Sequence, residues 1–241
     1  MTEVTATDRR GTRAVAFDPM RRAIARTVTE SAAIPTFTVT TAADVDALLS
    51  VRSDANHAIA ATGEKLSLNA FVVRAVALAL AEHPEVNATY SDEGRGQALL
   101  HQRINIGIAV DAPSGLVVPV LHDVDHDSVT EISRRTRDLV TRAHERKLQL
   151  TDMSDGTFTV SNLGMFGVEH FTALIIPPQG AVLAVGGVSE YLALVDGAAV
   201  TRHRLTCTLT ADHRIIDGAL AARFLATLAD ILERPDRLRR G

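Results

Sequence analysis

Strand-like and helical segments are interspersed in this 241-residue chain without a regular alternation. A parallel βαβ fold would need a helical pattern after each strand pattern. The sequence therefore predicts the α+β class. The strand-like segments, alternating or continuously apolar, lie at 36–41, 98–100, 104–110, 116–121, 156–160, 181–188, 193–195 and 204–210.

Helix-start signals and apolar periodicity predict five helices. Asp18 followed by Pro19 predicts the cap and first turn of a helix over 20–31. A helix that begins at Ser67 has apolar residues at i, i+3 and i+4 spacing and is stopped by Pro84. The remaining helices are expected to start near 43–44, to cover 128–147 with Asp127 as the cap, and to cover 218–232.

The composition is that of a globular protein and limits its partners. Hydrophobic residues make up 46% and charged residues 22%, with a net charge of −4, which gives no basic surface for nucleic acid or an anionic membrane. No apolar run approaches the roughly 20 residues of a membrane-spanning helix. Cys207 is the only cysteine, so a reducing, cytoplasmic location is expected. We expect 1–17 to be a flexible lead-in and 18–241 to form one domain.

His213 lies between a predicted strand and a predicted helix, in the segment DHRIIDG at 212–218. Loops held by rigid elements often carry reactive side chains. An imidazole has a suitable pKa to accept a proton from a thiol or hydroxyl near neutral pH. A single histidine is more often structural or solvated, and the spacing alone leaves both interpretations open.

A second candidate segment is GTFTVSNLGMFG at 156–167, where a strand enters a glycine-punctuated loop that exposes Ser161 and Asn162. Ser161 could be a turn residue, or it could donate a hydrogen bond to a developing oxyanion. We reject a serine-hydrolase triad of Ser161, His213 and Asp217. No Gly-x-Ser-x-Gly motif surrounds Ser161, and Asp217 follows His213 by only four residues.

The segment HDVDHD at 122–127 contains residue types that bind metals. Acidic residues at this position also precede a predicted helix, where they complement its dipole and cap it. The second interpretation is preferred, and no metal site is predicted.

With these segments, the chain resembles the catalytic domain of the dihydrolipoamide acyltransferases. These are the E2 components of 2-oxoacid dehydrogenase complexes and share a fold with chloramphenicol acetyltransferase. The family's His-x-x-x-Asp-Gly motif is met by His213, Asp217 and Gly218, and its GTFT[IV]SNLGMFG stretch by 156–167. The resemblance extends over about 17–235, with further matches in the family's order: MRRAIA at 20–25, IPTF at 34–37, LNAF at 68–71, AV at 109–110, GLVVPV at 115–120, FTA at 171–173 and PPQ at 177–179.

The resemblance implies a two-layer α+β sandwich with a mixed sheet, in which 18–241 is the acyltransferase catalytic domain. It also implies transfer of an acyl group between dihydrolipoamide and CoA by direct thiol attack on a thioester. His213 would be the general base and Ser161 the oxyanion donor, with CoA as a substrate, no metal and no acyl-enzyme.

The resemblance further implies that Asp217 is tied to an arginine of the N-terminal helix, either Arg22 or Arg21. Asn162 and Gly218 are expected to give structural support to the same site. The family's active sites lie between the subunits of a homotrimer, so His213 of one chain would face Ser161 of another.

The sequence departs from the family in lacking the patterns of a lipoyl domain and of a subunit-binding domain. Lys65 and Lys147 are the only lysines, and neither lies in the Asp-Lys-Ala hairpin that carries the lipoyl group in this family. A lipoyl-bearing or acyl-carrier protein is therefore an expected partner, together with the E1 and E3 components. The chain is either an excised catalytic core or a freestanding acyltransferase with another thiol, hydroxyl or amine acceptor. A catalytically inert core-forming scaffold is a third alternative.

Two further expectations concern the acyl group and the assembly. The sequence SNLGMF at 161–166 is similar to the acetyl-transferring branch of the family. The tail LERPDRLRRG at 232–241 has charged residues where cage-forming members have an apolar run. Because burial of unpaired charges is costly, we expect a trimer that does not build a cage.

Overall fold

A computed structural model describes residues 11–113 and 115–239. Residues 1–10 of the predicted lead-in, Ser114 and residues 240–241 of the tail lie outside the described residues. Residues 11–17 are exposed and have no regular secondary structure.

The described chain contains both helices and strands in an irregular order. The helices are α1 Pro19–Ser31, α2 Asp46–Ala58, α3 Leu68–Glu82, α4 Val129–His144 and α5 Gly218–Glu233. The strands are β1 Thr36–Asp44, β2 Ala88–Ser91, β3 Gln97–Leu100, β4 Ile106–Ile108, β5 Val110–Ala112, β6 Gly115–Val117, β7 Val120–Leu121, β8 Phe158–Asn162, β9 Ala181–Val195 and β10 Ala198–Asp212.

Six strands form one mixed sheet in the order β1, β10, β9, β8, β4, β7. The pairs β1–β10, β10–β9 and β4–β7 are antiparallel, while β9–β8 and β8–β4 are parallel. The β2–β3 and β5–β6 hairpins are separate from this sheet. The predicted α+β class with a mixed sheet is confirmed.

The sheet has one apolar face and one face rich in threonine. On β10, Leu205, Cys207 and Leu209 belong to the buried core, which also contains the apolar residues of α3 and α5. The alternate residues of β10 point to the opposite face, where the Oγ1 atoms of Thr208 and Thr40 lie 3.0 Å apart. Helices therefore cover one face of the sheet, giving two layers.

Helix α1 forms as predicted, but most of its apolar side is not covered by its own chain, and only Ile24 on that side is half-buried. Asp18 is the cap, and its side chain accepts from the backbone N–H of Arg21 at 2.7 Å. Within the helix only Ser31 is buried, while Met20 and Val28 are exposed. Among the described residues, no helix is both long and apolar enough to span a bilayer.

Two details of the predicted helices are wrong. The cap of α4 is Ser128, whose Oγ accepts from the backbone N–H of Glu131 at 3.2 Å. Asp127, the predicted cap, instead pairs with Arg135 across the first two turns. Helix α2 begins at Asp46 and not at 43–44, because β1 continues to Asp44 alongside β10.

Candidate active site

His213 occupies a tight turn between the end of β10 and the start of α5. Its backbone N–H donates to the carbonyl oxygen of Pro35 at 2.9 Å. Its imidazole lies against the ring of Phe37, with centroids 4.3 Å apart and planes inclined by 40°. His213 is exposed in the single chain, so it is held at its backbone and at its ring while remaining open to a reactant.

The residues on either side of His213 are joined by an ion pair that the sequence patterns do not predict. Asp212 is only 2% exposed. Arg214 donates to both of its carboxylate oxygens, from Nη2 to Oδ2 at 2.6 Å and from Nε to Oδ1 at 2.9 Å. This hydrogen bonding raises the pKa of Arg214. The only sequence signal for the pair is an acid and a base two residues apart at the end of a strand.

Asp217 and Gly218 lie where the turn enters α5. Asp217 is the helix cap, and its Oδ1 accepts from the backbone N–H of Leu220 at 2.7 Å. A Cβ added at Gly218 would meet no heavy atom within 4 Å. The packing of the single chain therefore does not itself require glycine at this position.

The two arginines expected near Asp217 lie elsewhere in the single chain. Nη1 of Arg22 donates to the carbonyl oxygen of Phe17 at 2.5 Å. The guanidinium of Arg21 lies 5.8 Å from the ring centroid of Phe17. Within residues 11–113 and 115–239 of one chain, neither arginine forms an ion pair with Asp217, and the role implied for them stays a prediction.

Ser161 and Asn162 are the last two residues of β8. Val160 belongs to the core, so Ser161 points to the threonine-rich face. Nδ2 of Asn162 donates to Oδ1 of Asn69 at 3.1 Å, and Oδ1 of Asn162 accepts from the backbone N–H of Gly164 at 2.8 Å. Asn162 therefore fixes the loop that follows Ser161.

The loop after Asn162 also depends on glycines that allow two backbone segments to touch. A Cβ added at Gly164 would lie 2.6 Å from the carbonyl oxygen of Gly186 on β9, closer than van der Waals contact permits. This close approach keeps the end of β8 in register with β9.

Ser161 and His213 are far apart in one chain. Ser161 pairs with Ala184 on β9, and Ala184 pairs with Thr208 on β10, which places Ser161 about 10 Å from Thr208 across two strand spacings. His213 lies five residues beyond Thr208, or about 16 Å along the strand. The two Cα atoms are therefore separated by roughly 19 Å, and the rejection of an intrachain triad agrees with this geometry.

Two cavities open at the end of the sheet near His213. One, of about 370 Å³, is lined by Asp212 and Arg214 among others. The other, of about 680 Å³, shares residues 177–179 with the first. Neither of these two cavities is lined by Ser161 or His213, so neither brings the two groups together.

The acidic segment 122–127 is engaged in ion pairs. Arg103 donates to both carboxylate oxygens of Asp123, at 2.6 Å and 2.5 Å, and this lowers the pKa of Asp123. Among the described residues there is no group of three or more His, Cys, Asp or Glu side chains able to hold a metal ion.

Cys207 is unsuited to be a nucleophile. It is completely buried on β10, and burial raises the pKa of its thiol to about 12. A thiol reacts as the thiolate, so this side chain remains inert near neutral pH.

Comparison with known structures first defines the fold. Chloramphenicol acetyltransferase aligns with a TM-score of 0.53 at 16% identity, covering 86% of this chain and 94% of that one. The dihydrolipoamide acetyltransferase of Azotobacter vinelandii aligns with a TM-score of 0.91 at 30% identity, covering 99% of this chain and 98% of that one. A probable dihydrolipoamide acetyltransferase from Listeria monocytogenes aligns with a TM-score of 0.88 at 32% identity, covering 93% and 96%.

The sequence comparisons define the family. The family model "2-oxoacid dehydrogenases acyltransferase (catalytic domain)" matches residues 9–239. The acetyltransferase component of the pyruvate dehydrogenase complex of Zymomonas mobilis is 38% identical over 217 residues, which are 90% of this chain and 49% of that protein. The chain therefore belongs to the catalytic-domain family of the 2-oxoacid dehydrogenase acyltransferases. It spans about half the length of the curated relatives it matches.

Proposed function

We propose that this domain transfers an acyl group, acetyl in the first instance, between dihydrolipoamide and CoA. The observation that carries the proposal is the position of Ser161 and His213 within a chain of this family. Structural work on the Azotobacter vinelandii acetyltransferase addresses the catalytic roles of a serine, a histidine and an asparagine. The serine precedes the histidine there by the same number of residues as Ser161 precedes His213 here.

The third residue differs between the two proteins. The asparagine of the Azotobacter protein follows its histidine by four residues, and Asp217 stands at that distance here. Both side chains present an oxygen that can accept from a backbone N–H, as Asp217 does at the start of α5. We assign Asp217 to support of the His213 turn and not to proton transfer.

The chemistry requires one proton acceptor and one hydrogen-bond donor. A ring nitrogen of His213 takes the proton from the attacking thiol, and the sulfur forms a bond to the thioester carbonyl carbon. The hydroxyl of Ser161 donates to the oxyanion of the tetrahedral intermediate. When the intermediate collapses, the other carbon–sulfur bond breaks, and the leaving thiolate takes the proton from His213. General base catalysis contributes about 10²–10⁴-fold and one oxyanion donor about 10²–10³-fold.

The active site is shared between copies of the chain. His213 and Ser161 must both reach one carbonyl group, so they must come within several ångströms of each other. The roughly 19 Å between them in one chain, from strand spacing and rise, is too far. We assign His213 of one subunit and Ser161 of a neighbour to each site of a homotrimer. The threonines of β8 and β10 beside Ser161 are buried, but Thr36, Thr38 and Thr40 on the edge strand β1 are exposed, as is most of the apolar side of α1. These exposed surfaces are consistent with contacts between copies.

The acyl donor reaches this site on a carrier. The lipoyl group is supplied by another domain or protein, and the E1 and E3 components of a cytoplasmic 2-oxoacid dehydrogenase complex are the expected further partners. The core of the pyruvate dehydrogenase multienzyme complex, a cubic assembly, aligns with this chain at a TM-score of 0.91 and 30% identity. This similarity supports a role within such a complex.

The test is an assay of purified protein with acetyl-CoA and dihydrolipoamide, following formation of S-acetyldihydrolipoamide. We expect turnover that increases with both substrates. If acetyl passes from CoA only to an amine, a hydroxyl or another thiol, the chain is a freestanding acyltransferase with a different acceptor. If the protein is folded and oligomeric but transfers acetyl to none of these, it is an inert scaffold.

A further inference from the structure

We propose that Asp212, Arg214 and Tyr90 form a unit that positions His213 for catalysis. The inference rests on the proposed role of His213 as the base. None of the three side chains needs to touch a substrate, because they act through the turn that carries His213.

The ion pair joins the two neighbours of His213 to each other. The carboxylate of Asp212 accepts from the backbone N–H of Arg214 at 3.0 Å as well as from two nitrogens of its guanidinium. The carbonyl oxygen of Asp212 accepts from the backbone N–H of Ile216 at 3.0 Å. Because both flanking residues are tied to one buried carboxylate, the backbone of His213 has little freedom to rotate.

The guanidinium is held from its other side by Tyr90 of β2. Its central carbon lies 3.8 Å from the ring centroid of Tyr90, well within the range of a cation–π contact. Tyr90 and Arg214 together line both the 370 Å³ cavity and a third cavity, of about 580 Å³. The pair therefore separates these two cavities. Through Tyr90, the β2–β3 hairpin supports the turn that carries His213.

The geometry of the guanidinium matters more than its charge. Arginine presents a planar fork that matches both oxygens of a carboxylate, whereas lysine is a point charge on a flexible stem. A lysine at 214 would neutralise Asp212 but would not hold the turn in one orientation. Misplacement of a catalytic group by about 1 Å can cost on the order of 10²-fold in rate. Replacement of Arg214 by lysine should therefore lower kcat.

The experiment compares Arg214→Lys, Arg214→Met and the double variant Asp212→Asn/Arg214→Met in the acetyl-CoA and dihydrolipoamide assay. Each single variant should lower kcat by about 10- to 100-fold with KM changed less than about threefold. Arg214→Met should also lower Tm, because Asp212 is left as a buried charge without its partner. The double variant should regain most of the Tm, since no unpaired charge remains, while its kcat stays low.

Recovery of kcat together with Tm in the double variant would show that the pair only stabilises the fold, and would overturn the proposal. Wild-type kcat in Arg214→Lys would also overturn it, because charge would then suffice. An inactive wild-type protein would instead refute the proposed function. If Arg214→Met does not fold, Tyr90→Leu and Tyr90→Phe decide the question: Leu should lower kcat severalfold and Phe, which keeps the ring, should not.

Arg135→Met is the matched control. Arg135 pairs with Asp127 at the start of α4, and there, as at the His213 turn, the carboxylate is less exposed than the guanidinium. This variant should lower Tm with kcat unchanged. An equal loss of kcat in Arg135→Met would assign the effect of Arg214→Met to general destabilisation and refute a specific role.

Discussion

Ser161 and His213 are separated by two strands and five residues in the register of the six-stranded sheet. Ser161, at the end of β8, is paired with Ala184 of β9, which is in turn paired with Thr208 of β10. His213 follows the last residue of β10. Both groups are needed at one reacting carbonyl in the proposed mechanism. In that mechanism, two chains are therefore the smallest catalytic unit that we expect.

A mixture of two inactive variants should therefore regain activity. In a trimer that contains both His213→Ala and Ser161→Ala chains, one interface combines an intact serine with an intact histidine from its neighbour. Random mixing in equal amounts should restore about a quarter of the sites in a cyclic trimer. The measurement is turnover after joint unfolding and refolding, compared with each variant refolded alone. A mixture that remains as inactive as its components would place the site within one chain.

Removal of the base should affect the rate far more than the fold. His213→Ala is expected to lower kcat by about 10²–10⁴-fold, because proton transfer from the thiol loses its acceptor. Tm should be almost unchanged, since the side chain of His213 is exposed. His57→Ala, at the exposed end of α2, is the control and should retain full activity. Residual activity above a tenth of wild type in a folded His213→Ala protein would refute the assignment.

The Ser161 hydroxyl is expected to stabilise the intermediate without becoming acylated. Ser161→Ala should lower kcat by about 10²–10³-fold with little change in KM, because the oxyanion forms only after substrate binding. Ser53→Ala on the exposed side of α2 should have no effect. Mass spectrometry of the wild-type protein with acetyl-CoA provides the second test: an acetyl adduct on Ser161 would demonstrate a covalent mechanism.

Local sequence patterns predicted the elements whose signals are short-range. The cap at Asp18, the periodic face of α3 and the alternating polarity of β10 all correspond to observed elements. The sequence predicts separate strands at 181–188 and 193–195, but the two segments form the single strand β9. Pairing with β10 along its whole length extends the strand through residues that carry no strong local preference.

Long-range pairing also explains what the sequence did not predict. The runs 104–110 and 116–121 divide into β4 and β7 of the main sheet and the separate β5–β6 hairpin. The contact of Arg214 with Tyr90 joins residues distant in sequence. The distance between Ser161 and His213 follows from register across three strands, which no local pattern contains.

The buried thiol of Cys207 should make stability depend on pH in alkaline solution. Its pKa is raised to about 12 in the folded protein from an ordinary value of 9.0. Between these values the unfolded chain loses a proton that the folded chain keeps, so the free energy of unfolding falls as pH rises, by up to about 1.4 kcal/mol per pH unit. Cys207→Ala removes this contribution. From about pH 9 upwards, the free energy of unfolding of the wild type should therefore fall relative to that of the variant. Urea unfolding of both proteins measures the shift, and a pH-independent difference would contradict it.

The C-terminal segment packs against its own chain, and this packing bears on how the subunits assemble. Residues Pro235–Arg239 form a short 3-10 helix that packs on α2, α3 and α5 of their own chain. Leu238 is only 4% exposed in the core, and Arg237 pairs with Glu82 and Asp230.

Leu238 is thus already buried in its own chain. If the tail were instead inserted into an apolar socket on another trimer, the charged residues next to Leu238 would be buried with it, at a cost of several kcal/mol for each unpaired charge. We therefore expect a particle with the mass of three 25.8 kDa chains and not a cubic cage. Leu238→Ala should lower the free energy of unfolding by about 2–5 kcal/mol without changing the number of subunits. Light scattering at micromolar concentration is the measurement: a cage-sized particle would refute the argument from the tail, and an active monomer would refute the shared site.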